Sequence, residues 1–216
     1  MKVVIIGPAH PLRGGLANFN ERLAKAFQER QFEVIIYTFS LQYPSLFFPG
    51  KTQYSDHPKP ADLHIKLRLN SINPFNWFKV GREIKELNAD WVICPFWLPF
   101  MGPCLGTVLR IVKSNGHSRI LSIIHNIIPH ERRPGDRLLA SYFIKPVDGF
   151  VVMSRSVKEE MRQFTSDKPI SYIPHPLYDN YGEKISRSDA LMALGLPESE
   201  RYILFFGFIR DYKGLD

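Results

Sequence analysis

Between Lys2 and Phe39 the chain reads strand, glycine loop, helix, strand, and this succession constrains the fold more than any other feature. Lys2 to Ile6 is a β-branched apolar run stopped by Gly7-Pro8. A run without polar alternation predicts a strand buried on both faces. Gly14-Gly15 precede Leu16, Phe19, Leu23, Ala26 and Phe27, whose spacing places them on one face of a helix. Phe32 to Phe39 is the next apolar run. The unit is βαβ, with parallel strands and a right-handed crossover.

The same alternation continues. Leu63 to Leu67 reads as a short strand, Pro74 to Asn88 as a helix, and Trp91 to Phe96 as a buried strand that Pro95 shortens or places near an edge. A helix over about Pro99 to Ser114, the strand Arg119 to His125 and a helix opened by Pro134 follow. Gly149 to Met153 is a further strand, and Ser156 with Glu159 has the spacing of a capping box at the next helix. Ile170 to Ile173 is the last strand before Pro174. The expected fold is α/β, a doubly wound, mostly parallel Rossmann-like sheet over 1–174. Residues 175–200 read as a linker with one short helix, and 201–216 as the first strand (Tyr202 to Phe206) and glycine loop of a second domain. Residues 40–62, with four prolines, are irregular and long enough to suggest a functional or mobile loop.

Charge and cysteine usage narrow the function. The 28 Lys and Arg against 21 acidic residues leave a formal charge of +7, which favours phosphate-bearing or anionic-membrane partners. The cations are dispersed and no nucleic-acid motif accompanies them, so no nucleic-acid partner is expected. The N-terminus lacks the apolar core of a signal peptide, and no apolar run spans a bilayer. Cys94 and Cys104 lack zinc-ligand spacing. The expected location is cytoplasmic, extending to the inner face of the cell membrane.

Four constellations could carry chemistry. Arg13, Gly14 and Gly15 lie at a helix N-terminus, where backbone amides and the helix dipole attract anions; the plainer reading is a tight turn. The loop has neither Walker A nor GxGxxG spacing, and Phe39-Ser40 stand where a dinucleotide site places an acid. His125 ends a strand at the carboxyl edge, either to contact a hydroxyl or phosphate or to be satisfied by backbone. Arg210 and Lys213 follow an apolar run and could neutralise a diphosphate, or be solvated charges. Phe75, Trp77, Phe78, Lys79, Val80, Arg82 and Lys85 share one helix, with Tyr43, Leu46, Phe47 and Phe48 in the long loop. Core packing is the preferred reading of that helix, and an anionic membrane surface the alternative. Asp-x-Asp, HExxH and GxSxG are absent from the sequence.

PLRGGLANFNERLAKAF, IHNIIPHE, VVMSRSVKEEM, YIPHP and ILFFGFIRDYKGLD occur in the order seen in glycosyltransferase family four, and the chain resembles that family along its length. The resemblance implies a GT-B fold of two Rossmann-like domains, and retaining transfer of a sugar from a nucleotide sugar to a glycan or lipid-linked acceptor without a metal or other cofactor. It implies that Gly14 and Gly15 lie near the donor phosphates and His125 beside the transferred sugar. It also implies that Gly207, Arg210 and Lys213 belong to the diphosphate loop. Two positions depart from the family: Phe208 follows Gly207 where arginine is common, and Asn126 follows His125 where aspartate is common. The family's paired glutamates fall in its second domain, so the chain is expected to be a truncated portion with little activity of its own. The competing reading is a non-catalytic membrane- or partner-binding α/β module.

Overall fold

The computed structural model describes residues 1–44, 52–56, 58–129, 133–179 and 182–205. The chain divides into two compact units, Met1–Pro174 and His175–Asp216. The first unit holds, in order, β1 (Lys2–Ile6), α1 (Gly15–Gln28), β2 (Glu33–Leu41), β3 (Ile65–Asn70), α2 (Pro74–Glu86), β4 (Trp91–Phe96), α3 (Gly102–Lys113), β5 (Arg119–Ile124), α4 (Asp136–Ile144), β6 (Gly149–Val152), α5 (Arg155–Met161) and β7 (Ile170–Tyr172). The seven strands form one sheet in the order β3-β2-β1-β4-β5-β6-β7. Every pair is parallel. This is the doubly wound Rossmann-like α/β fold that the alternation of elements predicts.

Strand periodicity explains the two layers of core. Successive residues of a strand face opposite sides. Val4 and Ile6 therefore join the cluster that holds Val80 and Ile84 of α2 and Leu105 of α3, while Val3 and Ile5 join Phe19 and Ala24 of α1. Helices thus cover both faces, which is why β1 carries no polar residue between Val3 and Ile6.

Two expectations need correction. Pro95 neither shortens β4 nor puts it near an edge, because β4 lies between β1 and β5 in the middle of the sheet. β4 pairs with β5 along all six residues, whereas its ladder with β1 ends at Ile5–Ile93. Pro95 lies beyond that last β1 pair, where a missing N–H breaks no ladder bond. The cap of α5 is Ser154, not Ser156: the Ser154 hydroxyl accepts from Val157 N, and Ser156 lies within the helix. The backbone turns from extended to helical at Ser154, so its oxygen is the one in reach of the free amide.

In the second unit, α6 (Arg187–Leu194) starts at Ser186, whose hydroxyl accepts from Asp189 N, and ends at Gly195 in the left-handed region. Tyr202 to Phe205 belong to no strand, and Ile203 is fully exposed. An apolar run alone does not make a strand; it needs a neighbouring edge to satisfy its backbone. Phe206 to Asp216 lie outside the described residues, as do Leu46, Phe47 and Phe48.

Candidate functional site at the carboxyl edge of the sheet

The strand order reverses once. From β1 the chain winds outward to β2 and β3, then returns to the other side of β1 and continues from β4 to β7. The carboxyl ends of β1 and β4 therefore flank a topological switch point, where ligands of open α/β sheets bind.

The loop leaving β1 is held in place by specific bonds. The Thr38 hydroxyl accepts from Ala9 N at 2.9 Å and donates to Ala9 O at 3.1 Å. Asn20 Nδ2 donates to Pro8 O at 2.8 Å, and His10 N donates to Glu21 Oε1 at 2.7 Å. Residues 53–55 strap the other side, with Arg13 N on Gln53 O at 3.0 Å and Ser55 N on Pro11 O at 2.8 Å. A Cβ at Gly7 would stand 2.7 Å from Asn20 Nδ2 and 3.4 Å from Pro95, so glycine lets the loop, α1 and β4 close together. Gly14 has φ +115°, a backbone region that side chains disfavour, and it begins α1 without a side-chain cap. No acidic residue stands in the first turn of α1, and Arg13, Gly14 and Gly15 are exposed. The positive end of the helix dipole thus opens on the switch point, which suits an anion.

His125 follows β5 and reaches the same place. Its N–H donates to Phe96 O at 2.8 Å, fixing it against the end of β4. Its ring meets Phe19 edge-on, with centroids 5.4 Å apart and planes at 85°. Phe19 lies one turn along α1 from Gly15. Gly14 and Gly15 at the start of α1 and His125 after β5 thus all lie at the carboxyl edge of the sheet, and Phe19, one turn along α1, is in ring contact with His125. Gly207, Arg210 and Lys213 lie outside the described residues.

An aromatic cluster at the same edge of the sheet was not apparent from the sequence. Trp97, just after β4, donates from Nε1 to the Tyr43 hydroxyl at 2.6 Å and meets Phe39 edge-on. Tyr43 in turn stacks on Phe100 with centroids 6.4 Å apart. This bond joins the loops after β2 and β4, on either side of β1. Tyr43 was readable only as part of an irregular loop, because nothing local indicates a partner 54 residues away. Asn20, fully buried on α1, was equally silent: a polar residue inside an apolar helical stripe was its one signal.

Burial raises the Tyr43 hydroxyl above the ordinary tyrosine value, outweighing the hydrogen bonds from Trp97 and Gln42 that lower it. Burial also pushes both thiols up, Cys94 well above the usual cysteine value, with Cys104 adding to the rise. Neither thiol is a nucleophile at neutral pH, since the thiolate is the reactive form. Among the described residues no three His, Cys, Asp or Glu side chains gather as a metal-binding group.

A parallel, doubly wound sheet with an uncapped helix start after β1 and a histidine after β5, both at its carboxyl edge, is a Rossmann-like α/β domain. The Glycosyltransferase Family 4 pattern matches residues 13–179, and the chain belongs to that family. Its fold is similar to an alpha-glucosyltransferase solved with UDP-glucose and DNA containing an abasic site, at 14% identity and a TM-score of 0.55 over 82% of this chain and 43% of that one. The same comparison with an alpha-glucosyltransferase bound to UDP and a 13-mer DNA gives 15% identity and a TM-score of 0.53 over 80% and 41%. UDP-GlcNAc 2-epimerase from Methanocaldococcus jannaschii aligns at 10% identity and a TM-score of 0.50 over 79% and 45%. The chain thus spans less than half the length of these proteins. No curated protein matches it.

Proposed function

We propose that this chain forms the acceptor-side part of a retaining hexosyltransferase that moves a sugar from a nucleotide-sugar donor to a glycan or lipid-linked acceptor. The observation that carries the reading is the Phe19–His125 contact, which ties the helix that starts at Gly14–Gly15 to the end of β5 at the carboxyl edge of the sheet in a chain of this family. UDP and UDP-glucose in the names of fold neighbours support a diphosphate donor. In this reading the α1 amides face the donor phosphates and His125 hydrogen-bonds the transferred sugar. Gly207 lets its loop approach the diphosphate, while Arg210 and Lys213 offset the charge that develops as it leaves. The acceptor hydroxyl attacks the anomeric carbon from the face the diphosphate leaves, and its proton passes to the departing phosphate oxygen. Cations and dipoles, rather than a metal ion or other cofactor, supply the stabilisation.

The test is to incubate the 216-residue chain, and longer proteins containing it, with UDP-, GDP- and ADP-sugars and a panel of glycan, lipid-linked and DNA acceptors. Thermal shift reads donor binding, because a ligand of the native state raises its apparent stability. Mass spectrometry of the acceptor reads transfer. Transfer that Lys213→Ala lowers at least about tenfold, roughly 1.4 kcal/mol of barrier, is the expected outcome. Conversion of the free sugar nucleotide to its epimer, with no acceptor modified, would contradict it.

A further inference from the structure

Helix α2 turns two phenylalanines toward water. Phe75 is 86% exposed and Phe78 49%, and Ile72, just ahead of the helix, is 50% exposed. At 3.6 residues per turn, Phe75, Phe78, Lys79 and Arg82 share one outward face, opposite the buried Val80, Gly81 and Ile84. The sequence expectation that this aromatic stripe packs as core holds for Trp77, which packs against the cluster, and fails for Phe75 and Phe78. Turning the helix to bury those two rings would expose Val80 and Ile84.

The presentation is fixed by hydrogen bonds. Asn73 caps the helix by accepting from Asn76 N at 3.3 Å. Asn76 Oδ1 accepts from Asn70 N at 2.8 Å, and its Nδ2 donates to Arg68 O at 2.9 Å. Trp77 Nε1 donates to Asn70 O at 2.7 Å. Beside the rings runs an open groove of about 600 Å³, lined by Phe75, Phe78, Lys79, Arg82, Glu83 and Glu86. Glu83 is answered within the protein: the Tyr37 hydroxyl donates to it at 2.9 Å, Lys66 Nζ stands 3.2 Å away, and Arg68 lies at 3.9 Å. Arg68, 58% exposed, adds a third cation near this face. Glu86 lies on the same face one turn beyond Arg82, but about three turns from Phe75, at the far end of the helix.

We propose that this face docks on an anionic lipid bilayer, with Phe75 and Phe78 entering the headgroup–acyl boundary and Lys79, Arg82 and Arg68 meeting lipid phosphates. Outward aromatics flanked by cations are the pattern of an interfacial helix, and each juxtamembrane cation adds attraction to an anionic leaflet. The +7 charge of the chain favours the same surface over a zwitterionic one. α2 follows the carboxyl end of β3, so its phenylalanine end lies on the sheet edge that carries the β1 loop and His125. Docking there holds that edge close to lipid. The proposal stands apart from the transferase reading, and its test does not use activity.

The measurement is sedimentation of the 216-residue chain with phosphatidylcholine vesicles, with and without roughly one-third phosphatidylglycerol. Binding to the anionic vesicles, weakened by added salt, is expected. Phe75→Ser/Phe78→Ser lowers the partition coefficient at least about tenfold, and Lys79→Glu/Arg82→Glu does the same with less salt dependence. Arg119→Glu/Lys145→Glu makes the same charge change at the amino edge and leaves binding within about twofold. Phe75→Trp keeps binding, and its emission shifts blue only on anionic vesicles; circular dichroism and the melting temperature confirm that each variant folds. No binding by the wild type, equal binding by the folded serine variant, or an equal loss in the amino-edge variant would overturn the proposal. So would a dimer in sedimentation velocity that Phe75→Ser/Phe78→Ser abolishes without any vesicle binding, which would assign the face to a second copy.

Discussion

Asn20 shows how one side chain fixes a loop at the carboxyl edge. Its amide holds Pro8 O inside a loop that Gly7 allows to approach β4, so the loop leaving β1 depends on a buried contact rather than on its own sequence. Asn20→Ala leaves that carbonyl without its donor, and a loss of about 1–3 kcal/mol is expected in chemical denaturation. An unchanged midpoint would mean the loop is held elsewhere. The two cysteines give an independent residue-scale check. Burial raises both thiols, so a thiol reagent at neutral pH should label them only as fast as the protein unfolds. Rapid labelling of the native chain would contradict the burial of β4 and α3.

At the scale of elements, α2 combines a core face, an outward apolar face and an ionic anchor. Burial raises the Glu83 carboxyl, but hydrogen bonds from Tyr37 and Lys66 outweigh it and hold it below the usual range. A carboxylate with a depressed folded value contributes stability above its unfolded value of about 4.3 and loses it as pH falls through the folded value. The difference in melting temperature between wild type and Glu83→Gln should therefore be largest near neutral pH and shrink under acid conditions. A constant difference would show that the ionic anchor is not what Glu83 provides. Most elements were legible because each carries its own signal: β1 by an unbroken β-branched run, α2 by Pro74 and its apolar spacing, and the short helix of the second unit is legible over Asp189 to Leu194, two residues inside the observed start of α6 at Arg187. What failed depended on neighbours. Pro95 looked like an edge marker because a sequence does not show which partner a missing N–H faces. Ser156 looked like a cap because Glu159 follows at capping-box spacing, but Ser154 offers the same oxygen where the backbone turns into the helix. Phe75 and Phe78 looked like core because period alone cannot separate two faces that are both partly apolar.

For the whole molecule, the order of strands makes the site. Gly14, Gly15 and His125 are far apart in sequence and share the carboxyl edge because β1 lies two places from β5 in a parallel sheet, with only β4 between them. Position at a strand's carboxyl end was readable; the Phe19 contact that joins α1 to His125, and the Tyr43–Trp97 bond that joins the loops after β2 and β4, required the packed structure. No helix among the described residues is long and apolar enough to cross a membrane. The central claim is that this edge holds the transferred sugar of a glycosyl donor. The most direct test is the turnover of a nucleotide sugar, at saturating donor, by an active protein containing this chain, comparing wild type with His125→Ala of unchanged melting temperature. The account predicts a fall in kcat of at least about tenfold, roughly 1.4 kcal/mol of transition-state stabilisation. A kcat equal to that of the wild type would contradict it.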